Sequence, residues 1–293
     1  MYSNKLYTPL RYPGGKARFA PLVTCVMEQN GLLGGHYLEP YAGGAGVALE
    51  LLFHGAASHI HINDFDTAVY DFWVGVTQSP EAILKLLWDT PVTMDQWLYW
   101  RSVLRGEVKV GQIERGFATL FMNRTNRSGV LKGGVIGGLA QVGEYKLDAR
   151  LKKDVLAKRI ARIADNAGNI SVHNEDALSL LKNCASFLPS NALIYLDPPY
   201  YVKGQGLYRN FYSHEDHLAI AKCLGSSRFT RRWMVSYDNV KEIRDMYSPM
   251  SSAYSYGLNY TAQTRYKGSE IMFFSRQLNL PESEFERFGL RAA

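Results

Sequence analysis

Residues 193–202 read LIYLDPPYYV. Leu193 to Leu196 are strand formers, and Asp197 ends the run just ahead of two prolines. Proline fixes the chain direction and gives up its backbone donor. The Asp197 carboxylate and the Pro198 carbonyl are therefore left as acceptors beyond the strand end, with Pro199 stiffening the turn. Two acceptors match the two donors of one exocyclic NH2 group. Gripping that group keeps its nitrogen lone pair out of the ring, and an exposed Tyr200 could stack on the base for roughly 1–3 kcal/mol. This is an arrangement for methylating an aromatic amine. The same residues also suit an ordinary turn with Tyr200 capping the core.

A second cluster bears on that choice. Glu39-Pro40-Tyr41-Ala42-Gly43-Gly44-Ala45-Gly46 follows the apolar stretch 35–39. Glycines there let the backbone turn tightly and approach a ligand closely. Asp64 ends the next apolar stretch, placed to accept from ribose hydroxyls. Together these read as a site for an adenosine-containing cofactor. There is neither a G-x-G-x-x-G nor a G-x-x-x-x-G-K-S/T pattern, so a cofactor without a pyrophosphate fits. A sulfonium methyl donor at this turn would need only alignment with the acceptor nitrogen. No G-x-S-x-G and no cysteine with an evident base offers a covalent route. His214 and His217, three apart, lack further metal ligands and read as helix-cap and surface residues. His59 and His61 read as packing or surface residues of a strand. Glu39 either orients the cofactor turn or satisfies backbone donors, the first being preferred.

Elements must hold these groups in place. Strand patterns cover 35–39, 59–63, 170–173, 193–196 and 233–237, with later candidates at 253–257 and 271–274. Helical patterns cover 80–88, 151–163 and 214–224, and a helix starts at 47. Strands alternating with helices predict a mostly parallel α/β sheet, with ligands at the carboxyl ends of its strands. Residues 75–168 interrupt that rhythm with two helices, 94–104 and 113–121, and a Gly-rich hairpin over 129–144. They form the expected second subdomain, leaving 1–74 and 169–293 as the main domain. The tyrosines between 254 and 266 suit either a DNA channel or edge-strand packing.

The chain has 293 residues and 46% hydrophobic content, enough for a packed core. Its net charge is +6. Residues 101–160 hold 13 Lys/Arg against 5 Asp/Glu, so the excess is concentrated there. A basic segment on a near-neutral body fits a nucleic-acid face as well as a solvated helical surface. Three scattered cysteines argue for a reducing compartment and against a disulfide frame or a cysteine metal site. With no apolar stretch near the roughly 20 residues of a membrane span and no signal-like start, a cytoplasmic protein without a membrane partner is expected.

The ordered set of motifs resembles the Dam-type, D12 class, family of adenine-N6 DNA methyltransferases over about residues 8–275. YPGGK at 12–16 is similar to W-x-G-G-K, with Tyr12 for the tryptophan. LEPYAGGAGVAL at 38–49 resembles the cofactor loop V-E-P-F-x-G-x-G, with Tyr41 for the phenylalanine and Ala45 where the second glycine usually falls. IND at 62–64 matches the acidic strand end. FMNRTNRSGVLKGG at 121–134 resembles the stretch that opens the target-recognition region, LDPPY at 196–200 the catalytic tetrad, and VSYDN at 235–239 a later segment.

The resemblance implies a Rossmann-like S-adenosylmethionine-dependent sheet carrying a helical and hairpin target-recognition insert. It implies S-adenosyl-L-methionine as donor and an adenine flipped out of duplex DNA as acceptor. Tyr12, Lys16, Glu39, Tyr41, Gly43, Asp64, Asp176 and Asp197 become cofactor-site residues. Asp197, Pro198, Pro199 and Tyr200 become the group around the target base. Arg124, Arg127 and Lys132 are candidates for reading bases, since Arg and Lys donate to guanine O6 and N7. Plain phosphate contact is their alternative. Lys152 and Lys153 are expected to hold phosphates. A bacterial or phage source and a cognate restriction endonuclease as partner fit the same family. An RNA or cytosine-N4 methyltransferase, and a DNA-binding protein that has lost catalysis, stay open as rivals.

Overall fold

A computed structural model describes residues 7–12, 14–202, 212–260 and 266–293, with the side chains of 258–260 and 266–268 outside that description. Pro13, within the YPGGK motif, lies outside the described residues, as does part of the tyrosine run at 254–266.

The strands are β1 Gly35–Glu39, β2 Ala57–Asn63, β3 Ile170–His173, β4 Ala192–Leu196, β5 Arg232–Asp238, β6 Ser251–Tyr260, β7 Tyr266–Ser275 and β8 Leu290–Ala292. The helices are α1 Ala20–Gln29, α2 Gly46–Phe53, α3 Thr67–Gln78, α4 Pro80–Asp89, α5 Met94–Leu104, α6 Gln112–Thr125, α7 Lys153–Ala164, α8 Ala177–Asn183, α9 His214–Leu224, α10 Lys241–Tyr247 and α11 Glu282–Phe285.

One eight-stranded sheet runs in the order β3-β2-β1-β4-β5-β7-β6-β8. The first five strands are parallel, and β7, β6 and β8 are antiparallel additions. The order reverses between β1 and β4, so the crevice beyond Glu39 and Leu196 is the place where such sheets bind ligands. Antiparallel β7 has a further effect. Its Glu270 pairs with Asp238 at the end of β5, so the start of β7 faces the same crevice.

Local chemistry explains several boundaries. Asp66 caps α3 by accepting from the Ala68 amide at 3.0 Å, and Ser213 with Asp216 forms a reciprocal capping box on α9. On one face of the sheet Leu38, Ile194, Val235 and Phe273 pack under α8 and α9. On the other, Tyr37, Ile60, Tyr195 and Met272 pack with α1 and α2.

Helices α3 to α7 all lie in the connection from β2 to β3. Their apolar faces, including Trp73, Ile83, Trp97, Phe117, Leu156 and Ile160, join the same core as Tyr37 and Ile60. Buried Asp71 of α3 is ion-paired with Arg115 of α6 and accepts from Gln112 at 2.9 Å. The expected boundary at residue 75 therefore falls inside α3, and the inserted helices share a core with the sheet. The expected hairpin at 129–144 holds no regular strand. A single bridge, Asn126 to Val135, closes its base, and Gln141 organises the tip by bonding to Ile136, Gly138 and Leu147.

Candidate active site

The glycine turn is held on three sides. The Gly43 amide donates to Asp64 Oδ2 at 3.0 Å, and its carbonyl accepts from buried Trp73 Nε1 at 2.9 Å. Gly43 has φ +47°, and a Cβ there would stand 2.7 Å from the Tyr12 ring. Only glycine lets the turn and the ring approach so closely. Ala45 takes φ 47° as well, a left-handed conformation that the family pattern gives to glycine. An L-residue there costs about 1–2 kcal/mol. Complete burial of Ala45 is among the contacts that hold it in place.

Asp64 also accepts from the Asp66 amide, through Oδ1 at 2.9 Å. Burial raises its carboxyl to about 7, against the pull of both amides. Each oxygen keeps a lone pair for a further donor. Glu39 is buried, and its Oε1 accepts from the Ala48 amide at 2.9 Å and the Tyr37 hydroxyl at 3.1 Å. That favours the backbone-satisfying reading of Glu39: it anchors the first turn of α2. Burial pushes it up to about 8. Tyr41 donates to the Tyr212 hydroxyl at 3.1 Å, and exposed Asp176 caps α8 through the Ser179 amide. Buried Asn63, overlooked in the sequence, joins three strand ends by bonding to Pro40 and Glu175.

The second cluster surrounds Asp197, whose side chain is 29% exposed just past β4. Lys16 Nζ lies 3.0 Å from its Oδ1 and donates to its Oδ2 at 3.1 Å, and Ser236 donates to Oδ1 at 2.6 Å. Lys16 also donates to the Tyr200 hydroxyl at 2.8 Å and stands 3.6 Å from fully buried Glu270. Glu270 accepts from Tyr200 and, at 2.6 Å, from Tyr256. Burial raises the Asp197 carboxyl, with Glu270 adding to the shift and Lys16 and Ser236 opposing it. Among the described residues no donor is bonded to the Pro198 carbonyl. Asp238 fixes the chain beyond by accepting from the Tyr201 and Val202 amides.

Several expectations change. Tyr200 is 8% exposed rather than an open platform, because Lys16 and Glu270 hold its hydroxyl. Lys16 belongs to the Asp197 network more than to the glycine turn. Arg124 is buried, with Nε donating to the Pro9 carbonyl at 2.5 Å, so it is not free to read bases. Lys153 donates to the Trp88 and Thr90 carbonyls and secures the end of α4. Arg127, Lys132 and Lys152 remain exposed. His217 is buried rather than superficial, bonded to Tyr237 at 2.9 Å. His59 and His61 pack in a row of rings with His36 and His173. Tyr254 and Tyr256 are packing residues, against Phe285 and Phe19, on a strand flanked by β7 and β8 rather than at the sheet edge. Ser236 lies in the VSYDN segment, whose sequence assigns it no role, and Glu270 carried no signal beyond being an acid ahead of an apolar run.

A cavity of about 420 Å³ opens beside this region, lined by Phe65, Asp66, Leu104, Arg115 and Lys132. It lies against the inserted helices and does not include Asp197. Among the described residues there is no group of His, Cys, Asp and Glu suited to a metal ion, and no helix long and apolar enough to cross a membrane.

The sheet order, the held glycine turn and the strand-end carboxylates define a Rossmann-like fold of the methyltransferase type. The chain belongs to the D12 class N6 adenine-specific DNA methyltransferase family, whose model matches residues 12–261. No curated protein matches it. Among solved structures it is similar to a proposed RNA methyltransferase from Pyrococcus horikoshii at 10% identity, with 93% of this chain and 89% of that one covered and a TM-score of 0.41. It is also similar to M. capricolum TrmK in complex with S-adenosyl-homocysteine, at 8% identity, 89% and 73% coverage and a TM-score of 0.36. The B. subtilis M1A22 tRNA methyltransferase TrmK matches at 11% identity, 90% and 68% coverage and a TM-score of 0.36.

Proposed function

We propose that the chain methylates N6 of an adenine rotated out of duplex DNA, with S-adenosyl-L-methionine as donor. The observation that carries this reading is the pair of acceptors at the end of β4: a part-exposed Asp197 carboxylate and a Pro198 carbonyl that bonds no donor among the described residues. They suit one exocyclic amine, and family membership supports adenine as the base that bears it.

The glycine turn fits the donor. Gly43 keeps the backbone low, Asp64 offers lone pairs to two ribose hydroxyls, and exposed Phe65 supplies an apolar ring beside them. When bound, S-adenosylmethionine supplies an electrophilic methyl carbon. The chain's own groups then do the positioning. The Asp197 carboxylate accepts one N–H of the target amine through a lone pair beyond those used by Lys16 and Ser236, and the Pro198 carbonyl accepts the other, which turns the nitrogen lone pair outward. Lys16 and Ser236 hold the carboxylate in its ionised, oriented form. Tyr200, anchored by Lys16 and Glu270, is a positioning residue beneath Asp197. Exposed Arg127, Lys132 and Lys152 on the inserted segment offer charge to the DNA backbone.

The test is direct. The protein is incubated with S-adenosylmethionine and unmethylated DNA, which is then digested to nucleosides for mass spectrometry. N6-methyladenine that disappears with Asp197→Ala supports the reading. Methylation of RNA alone, or of cytosine N4, would overturn it.

A further inference from the structure

Three arginines meet where the N-terminal segment crosses α6 and α7. Arg124 is 8% exposed, and Arg159 donates from Nη1 to the Thr8 carbonyl at 2.8 Å. The Nη1 of Arg11 is buried and has no hydrogen-bond partner. Burial lowers all three, Arg124 to about 9, and the guanidiniums of Arg159 and Arg11 lower Arg124 further. No Asp or Glu lies within ion-pair distance of any of them among the described residues, which include every acid of the chain. Among the described residues, two carbonyls, of Thr8 and Pro9, accept from their side chains. Buried charge without a counter-charge opposes folding, and repulsion among three guanidiniums adds to it.

The surroundings hold this arrangement firmly. Asn123 clamps the backbone of Arg11, accepting from its amide at 2.7 Å and donating to its carbonyl at 2.8 Å. Asn123 also donates to the Gly129 carbonyl. A Cβ on Gly129, at φ +77°, would stand 2.4 Å from the Arg11 carbonyl. Tyr12, against the glycine turn, is the next residue, and Lys16 of the Asp197 network follows on the same segment.

We propose that part-buried Arg11 and Arg159, with the buried charge of Arg124 behind them and out of contact with DNA, form a preformed site for one phosphodiester of the DNA backbone. The proposal rests on the DNA reading above. Guanidinium forks match two non-bridging phosphate oxygens bidentately, and a preset fork loses little entropy on binding. The anion supplies the counter-charge that the chain itself lacks. Placement next to Tyr12 ties the phosphate to the segment that also shapes both halves of the active site.

The experiment measures duplex DNA binding of the full chain by fluorescence anisotropy between 50 and 200 mM salt, about the range over which phosphate contacts dominate. The variants are Arg159→Gln and Arg159→Lys, with Arg11→Gln as a second position. Arg159→Gln is expected to weaken binding about tenfold and to lower the salt slope by about 0.9, the value of one phosphate contact. Arg159→Lys should recover most of the slope. Cofactor affinity should stay unchanged. Without DNA, Arg159→Gln should melt higher than the parent, since repulsion is relieved. A parent that binds and methylates DNA, with slopes unaltered in all variants, overturns the site and leaves the functional reading intact. A lower melting point of both Gln variants without DNA overturns it too, because the arginines would then be structural. A parent that binds no DNA removes both.

Discussion

The Lys16 ammonium lies 3.0 Å from Oδ1 of Asp197, a residue 181 positions further along the chain. The same nitrogen stands 3.6 Å from Glu270, so one cation serves both the part-exposed Asp197 carboxylate and the buried Glu270 carboxylate. Replacing Lys16 with Met leaves those carboxylates facing each other, and the first consequence is protonation. Asp197 is already raised by burial and by Glu270, and Lys16 is the leading influence that opposes this. The acid limb of the methylation rate should therefore move to higher pH in Lys16→Met, with single-turnover rates at neutral pH about 100-fold lower. Lys16→Arg should fall between. An unmoved acid limb would mean that Asp197 does not titrate in the reaction.

Glu39 offers a stability test with the opposite expectation for function. Its folded carboxyl, near 8, lies above the ordinary unfolded range near 4.5. The folded state therefore holds the proton more tightly, and this residue's contribution is lost as pH rises from about 4.5 through about 8. Glu39→Gln, an isostere of the protonated form, should be nearly neutral near pH 4.5, within about 0.5 kcal/mol, should be more stable than the parent at pH 7, and should flatten the decline in stability over that window. Glu39→Leu, which strands the Ala48 amide, should cost about 1–3 kcal/mol. Chemical denaturation at several pH values reads all three.

Gly43 and Asp64 should separate in cofactor binding. Gly43→Ala pushes a methyl group to within 2.7 Å of the Tyr12 ring and strains a positive φ. It should weaken S-adenosylmethionine binding by at least about tenfold while leaving DNA affinity unchanged. Asp64 accepts from two ribose hydroxyls with full strength only when ionised, and its carboxyl sits near 7. Affinity measured by calorimetry should fall as pH drops below about 7, and Asp64→Asn should be weak at every pH. A flat pH profile in the parent would remove Asp64 from the ribose contact.

Lys152 and Lys153 are adjacent in sequence and opposite in expectation. Lys152 is exposed, so Lys152→Ala should lower the salt slope of DNA binding by about one. Lys153 secures the carbonyls of Trp88 and Thr90 at the end of α4. Lys153→Ala should cost about 1 kcal/mol of stability with the smaller effect on the slope. Equal slopes for the two variants would contradict this division.

The contrast between these neighbours shows what sequence could reveal. Strands with alternating or continuous apolar runs were legible, as were the glycine turn, Asp64 and LDPPY, because their signals are local. Exposure was not legible, because burial is decided by distant packing. Arg124 reads as a DNA contact in a basic stretch, yet the N-terminal segment covers it and the Pro9 carbonyl holds it. His217 opens a polar helix turn but faces Tyr237. Glu270 precedes an apolar run like many strand-edge acids. Only the antiparallel course of β7 brings it to Tyr200 and Lys16.

The core shared by the inserted helices and the sheet bears on how such a protein can diversify. Trp73, Trp97 and Phe117 pack in one interior with Tyr37 and Ile60. A chimaera that exchanged residues 75–168 between relatives would trade half of a fitted interior and fail as a graft. The Gln141-centred loop is different: it is joined through one bridge and carries exposed Leu139, Val142 and Tyr145 at its tip. Heritable change in target preference has a cheap route through that loop, and laboratory recombination should cut there.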